Sequence, residues 1–96
     1  MHDLRIIETA AVLAGPAVGL FFAELGAQVI KIENRRTGGD VTRRWKLPEE
    51  DPTSTVSAYF SSVNWGKEHL MMDLRDPEEL IRFHALIEGA DVLITN

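Results

Sequence analysis

The chain has 96 residues, 45% of them hydrophobic, a formal net charge of −5 and no cysteine. That length supports one small domain with a modest core, the acidic balance gives no electrostatic ground for nucleic acid or an anionic membrane as a partner, and the lack of cysteine removes disulfides and thiolate chemistry. The longest uncharged stretch, Thr9–Ala23, is interrupted by Gly15, Pro16 and Gly19 and falls short of the ~20 apolar residues that span a bilayer; with no basic region leading into an apolar run at the N-terminus, a soluble, cytoplasmic protein is expected.

Leu4–Ile7 is a short apolar run of the kind found in a strand covered on both faces. Pro16 suits a first helical turn and Gly26 a position just past a helix end, so a helix is predicted over Pro16–Leu25. On it Val18, Phe21, Phe22 and Leu25 recur at i, i+3, i+4 and i+7, a stripe expected to lie on a sheet. "AQVIKIE" supplies a second strand, closing a βαβ unit. From Asn34 to Thr55 the periodicity dissolves around a glycine pair and two prolines, which predicts a long loop, a feature usually functional or disordered in a compact domain. Val56, Tyr59, Phe60 and Val63 then take helical spacing up to Gly66. His69–Leu74 reads as a third strand. "DPEELIRFHALIEG" opens with Asp76 as a cap, Pro77 in the first turn and Glu79 at capping-box distance; Asp91–Thr95 follows as a fourth strand. Alternation of this kind predicts an α/β fold with an open parallel sheet, whose ligands sit beyond the carboxyl ends of the strands. Four segments should converge there: Glu8–Ala14, Glu33–Arg36, Asp73–Arg75 and Thr95–Asn96.

A dinucleotide site would use Gly15 and Gly19 at a phosphate and Glu33 at a ribose hydroxyl. "AGPAVG" departs from G-x-G-x-x-G, however, with Pro16 and Ala17 where bare backbone is needed and one N–H lost to proline; the alternative is that both glycines serve close helix–strand packing. Six of the ten Lys and Arg residues, Lys31, Arg35, Arg36, Arg43, Arg44 and Lys46, fall in one segment against Glu33 and Asp40. That excess could hold a multiply phosphorylated ligand or form a solvated loop. His2, His69 and His84 lack metal-ligand spacing, so no metal is expected. Asp76, Glu78 and Glu79 are accounted for by the helix start they occupy, and no Ser or Thr stands in a nucleophile elbow.

"LRIIETAAVLAGPAVGLFFAELGAQVIKIEN", "GGDVTR", "NWGKEHLMMDLRDPEE" and "ADVLITN", in this order, resemble the N-terminal segment of the family III CoA-transferases, the CaiB/BaiF group that includes formyl-CoA transferase and carnitine CoA-transferase, with α-methylacyl-CoA racemase as a relative. The resemblance runs over nearly the whole chain. It implies that residues 1–96 are the N-terminal, coenzyme A-binding portion of a larger Rossmann-like domain, and that the reaction exchanges CoA between an acyl-CoA and a carboxylic acid. By position it implies CoA contacts at Leu13, Ala14, Asn34, Arg35, Met72, Asp73, Leu74, Arg75 and Asn96. Two departures bear on the phosphates: some members have Arg at the position of Asn34, and "NWGKEHL" stands for the commoner "NRGKRSL", which would either weaken phosphate binding or shift it to Arg35, Arg36, Lys67 or Arg75. The family's catalytic Asp, a covalent nucleophile, matches no acid here, so no catalytic residue is assigned and the chain is expected to be a fragment or short homologue, inactive alone, with a non-catalytic CoA- or nucleotide-binding module or an acyl-CoA racemase as the alternatives. The family also implies an interlocked homodimer, or association with a chain that supplies the rest of the domain. Apolar helix and sheet faces would then be exposed on this piece.

Overall fold

The computed structural model describes residues 3–96, so His2 lies outside the described residues. Strand β1 (Arg5–Glu8) leads into helix α1 (Ala14–Glu24) and strand β2 (Gln28–Asn34). Two short 3₁₀ turns, Arg35–Thr37 and Val41–Arg44, occupy the predicted loop before helix α2 (Ala58–Asn64); strand β3 (Glu68–Met72), helix α3 (Pro77–Glu88) and strand β4 (Val92–Ile94) complete the chain. All neighbouring strands run parallel in the order β3-β2-β1-β4, which is the order of the first four strands of the doubly wound dinucleotide-binding sheet. The α/β open-sheet expectation therefore holds. Strand and helix limits shift by one to three residues, as element ends commonly do.

Each face of the sheet has its own core. Ile6, Val29 and Ile94 join Ala10 and Ala27 on one face, against Phe22 and Ala23 of α1. Ile7, Ile30, Ile32 and Met72 fill the other, against Phe83, Leu86 and Ile87 of α3. This follows from the period-2 alternation of β1 and β2: consecutive isoleucines are divided between the two helices, which is why both strands read as continuous apolar runs.

The predicted apolar stripe of α1 is overturned. Val18, Phe21 and Leu25 are 47, 57 and 45% exposed, and the residues the helix buries are Gly15, Pro16 and Gly19. A side chain at Gly15 would fall inside contact distance of the Ala10 Cβ, and one at Gly19 inside that of the Glu8 Oε1. The helix thus meets the sheet on its smallest face, because only bare backbone lets it approach, and the bulky positions are turned outward. The expected close-packing role of these glycines holds. Pro16 occupies the third helical position rather than the first.

At α3 the Asp76 carboxylate accepts from the Glu78 N–H at 2.9 Å, while Glu79, instead of closing a capping box, turns to the Asp73 N–H and to Arg35. The Gly19 contact makes a test: alanine in an exposed helix normally gains stability over glycine, but here overpacking should win, and Gly19→Ala is expected to destabilise the fold by about 1–3 kcal/mol, read as a lower urea midpoint with an unchanged slope.

Candidate functional site

The carboxyl ends of β1, β2 and β3 border two adjoining clefts. One, of about 210 Å³, lies between Thr9, Asn34, Arg36 and the turn Met72–Arg75. Its neighbour, of about 430 Å³, runs from Thr9–Ala11 across β2 to Gly39–Val41 and Arg44. Thr9, Ile32, Glu33 and Asn34 belong to both, so the two form one groove over the end of β2.

Of the residues expected at the site, Asn34, Met72, Asp73, Leu74 and Arg75 line the first cleft. Asn34 sits at the end of β2 and caps the following turn, its side-chain oxygen accepting from the Arg36 N–H at 3.0 Å. Met72 is largely core, 3% exposed beneath the cleft floor. Leu13 and Ala14 lie apart from both linings, at the start of α1, where no side chain caps the first turn. Arg35 is turned aside, its guanidinium 2.9 Å from Glu79. Asn96 does not line the groove; it grips Ala11, donating to its carbonyl at 2.8 Å and accepting from its N–H at 3.3 Å.

The basic segment is largely used up inside the protein. Lys31 is fully buried between Glu8 and Asp40, each 3.0 Å away. Arg43 forks onto both oxygens of Glu33 at 2.7 Å and lies 4.0 Å over the Phe60 ring. Lys67, the "GK" lysine, donates to Glu8 at 2.7 Å and to the Pro16 carbonyl and Asn64 at 2.9 Å, so its ammonium is unavailable to a phosphate. Lys46 and Arg44 reach backbone carbonyls. What remains in the first cleft is Arg36 and Arg75, whose Nε atoms lie 3.3 and 3.8 Å from one oxygen of Asp73. Two cations sharing one carboxylate leave this corner electropositive.

Glu33 is the ribose acid of the dinucleotide alternative, but its carboxylate is committed. Burial alone would raise its pKa; hydrogen bonds from Arg43, from His69 and from the Asp40 N–H overcome this and hold it far below the usual carboxylate range. Gly39, at φ +98°, lets the chain turn back under Glu33, where a side chain would meet that carboxylate. Asp40 is likewise lowered: burial opposes ionisation, outweighed by bonds from the Thr42 N–H and hydroxyl and from Lys31. For Lys67 burial is the leading effect and lowers its pKa, with Glu8 opposing.

Sequence patterning placed the Glu8–Ala14 segment, Thr9 included, at this edge, but missed the buried network and the way it fixes the loop after β1. A signal existed: in strands covered on both faces, Glu8, Lys31 and Glu33 have no solvent to point to and must find one another. Missed too was Val12, at φ +73°, a backbone region that costs a β-branched residue about 1–3 kcal/mol and clusters at functional sites.

The sequence profile of CoA-transferase family III matches residues 1–96. The chain belongs to that family. A succinate–glutarate CoA-transferase of Agrobacterium fabrum is 43% identical across the whole chain, and a succinyl-CoA:mesaconate CoA-transferase of Haloarcula hispanica 38%. A CaiB/BaiF family protein of Brucella suis superposes with a TM-score of 0.82 at 38% identity, over 97% of this chain and 24% of that one. The chain spans 24% of the length of the two transferases as well. As for membranes, no helix among the described residues is long and apolar enough to cross one.

The Glu33 cluster carries a pH signature. In the unfolded chain its carboxyl returns to about 4.5, so the stabilisation from its depressed folded pKa is fully present above that value and is lost as pH falls below it. Glu33→Gln is expected to lower stability at pH 7 by about 2–3 kcal/mol and to flatten the acid limb of a stability–pH curve measured by denaturant titration between pH 3 and 6.

Proposed function

We propose that residues 1–96 form the CoA-binding N-terminal part of a CoA-transferase that exchanges CoA between an acyl-CoA and a carboxylic acid. The observation that carries this reading is the corner formed by Arg36 and Arg75 over Asp73, beside Asn34 and the Met72–Leu74 main chain, at the strand ends where α/β sheets take their ligands. A guanidinium can bond two phosphate oxygens at once, and Asp73 pre-orients both side chains without neutralising both. Here the 3′-phosphate or pyrophosphate of CoA binds, with the adenosine over the end of β2. Arg35, held by Glu79, gives up the direct role expected of it and steadies the turn from below.

Acyl exchange needs a nucleophile, and in this reading it is a carboxylate supplied outside residues 1–96. Such a group attacks the acyl-CoA carbonyl, expelling the CoA thiolate and forming a mixed anhydride; the thiolate then attacks the enzyme's own carbonyl in that anhydride, forming an enzyme–CoA thioester and releasing the first acid as its carboxylate. The second acid attacks this thioester and recovers the CoA by the same two steps in reverse, freeing the enzyme carboxylate. The groove described here keeps CoA bound while its thiol end passes between acyl partners. Succinate, glutarate and mesaconate appear in the names of the relatives above, so we take the acids exchanged to be short dicarboxylates. The enzyme acts in the cytoplasm, as an interlocked homodimer.

In the full-length protein, Arg75→Ala and Arg36→Ala are each expected to weaken CoA binding by about 1.5–3 kcal/mol, tenfold or more. Loss of a 3′-phosphate contact shows as a larger effect on CoA than on dephospho-CoA in calorimetry. Equal affinities in wild type and both variants would sink the assignment, as would tight NAD binding in place of CoA.

A further inference from the structure

The three residues after Thr9 are held by side chains from three separate parts of the fold. The Ala10 carbonyl accepts from Lys31 Nζ at 2.8 Å. Ala11 is gripped at both its N–H and its carbonyl by Asn96. The Val12 N–H points at Asp40 Oδ2, 3.4 Å away, and that same oxygen lies 3.0 Å from Lys31 Nζ. Asp40 is in turn aimed by Thr42, whose N–H and hydroxyl bond its other oxygen at 3.0 and 2.8 Å.

Stability alone does not explain these ions. Lys31 is 0% and Asp40 5% exposed, and a buried ion pair is often no more stabilising than apolar side chains of the same volume. What an apolar pair could not do is bond the main chain of Ala10 and Val12. Val12 stands at φ +73°, against the preference of a β-branched residue, directly before Leu13 and the start of α1. Left to itself this residue would relax to negative φ and carry the loop out of the groove that Thr9, Ala10 and Ala11 line.

We propose that Lys31 and Asp40 are positioning residues: together they clamp the Ala10–Val12 main chain in its strained form so that the loop presents a preformed wall to the CoA nucleotide. The inference rests on the CoA reading given above. It assigns the central charges of the "VIKIE" and "GGD" segments a role in ligand affinity, exerted through backbone they hold.

The test uses the full-length protein in a CoA-transfer assay. Asp40→Asn keeps the shape but leaves one carbonyl oxygen to serve Thr42, Lys31 and Val12. It is expected to raise KM for the CoA ester about tenfold while kcat changes less than about threefold. Adding Val12→Gly, which takes the positive φ freely, should bring KM back to within about threefold of wild type. That rescue is a readout that general loosening of the fold would not give. If Asp40→Asn fails to fold, Thr42→Val, which removes one of the bonds aiming Asp40, is measured in its place with a smaller rise expected, again relieved by Val12→Gly. Unchanged KM in the position-40 or position-42 variant alongside a raised KM in Arg75→Ala overturns the clamp and leaves the CoA site standing. Unchanged KM in Arg75→Ala as well overturns the CoA site and the clamp with it. A rise that Val12→Gly does not relieve also overturns the clamp.

Discussion

One carboxylate ties the fold together. Glu8, at the end of β1 and fully buried, takes Lys31 of β2 on one oxygen at 3.0 Å and Lys67, just before β3, on the other at 2.7 Å. Lys67 also bonds the Pro16 carbonyl of α1 and the Asn64 side chain at the end of α2, so β1, β2, the lead into β3 and two helices meet at this carboxylate and its lysines. Removing either lysine would leave a charge stranded in the interior, which costs far more than the pair gains. The arrangement also dictates the glycine of the helix above. Glu8 Oε1 occupies the space a side chain at Gly19 would need, so the polar hub and the close approach of α1 require each other.

Legibility of the sequence divides along this line. Alternation of apolar runs with helical spacing gave the element order and parallel sheet, because burial of apolar surface is what those patterns record. It failed for α1. Val18, Phe21 and Leu25 satisfy the helical template but the Gly15–Pro16–Gly19 face satisfies the sheet better, since a helix resting on backbone can come closer than one resting on phenylalanine. A hydrophobic template scores side chains that are present and cannot score a contact made by their absence. On α3, with no such glycine row, Phe83, Leu86 and Ile87 face the sheet as the template expects.

Charge counting failed for a related reason. Six cations in one segment look like a surface for phosphate until their partners are known, and those partners are buried acids and main-chain carbonyls that a charge count does not weigh: Arg43 takes Glu33, and Lys31 takes Asp40 and, 23 residues away, Glu8. Only the burial implied by a two-sided parallel sheet could have shown that Lys31 and Glu33 point inward. The turn after β3 was easier to place, because its position at a strand end follows from topology alone, and there the expected residues do gather. Asn96 and Arg35 came out differently, with their side chains spent on Ala11 and Glu79 instead of the groove.

The groove's place in the sheet follows from the same contacts. Helices α1 and α3 cover opposite faces, and the crevice of such a sheet is expected between β1 and β4, where the strand order reverses. Here the Thr9 N–H bonds the Ile94 carbonyl at 2.8 Å and Asn96 bridges to Ala11, closing the gap at that point. The open space lies one strand over, above β2, where Gly38 and Gly39 turn the chain through left-handed backbone and the side chains that follow are drawn down onto Glu33 and Lys31. The acids and lysines beneath the floor thereby help set where the groove opens: by pulling Asp40 and Arg43 inward they clear the end of β2, leaving Arg36 and Arg75 as the cations of its first cleft.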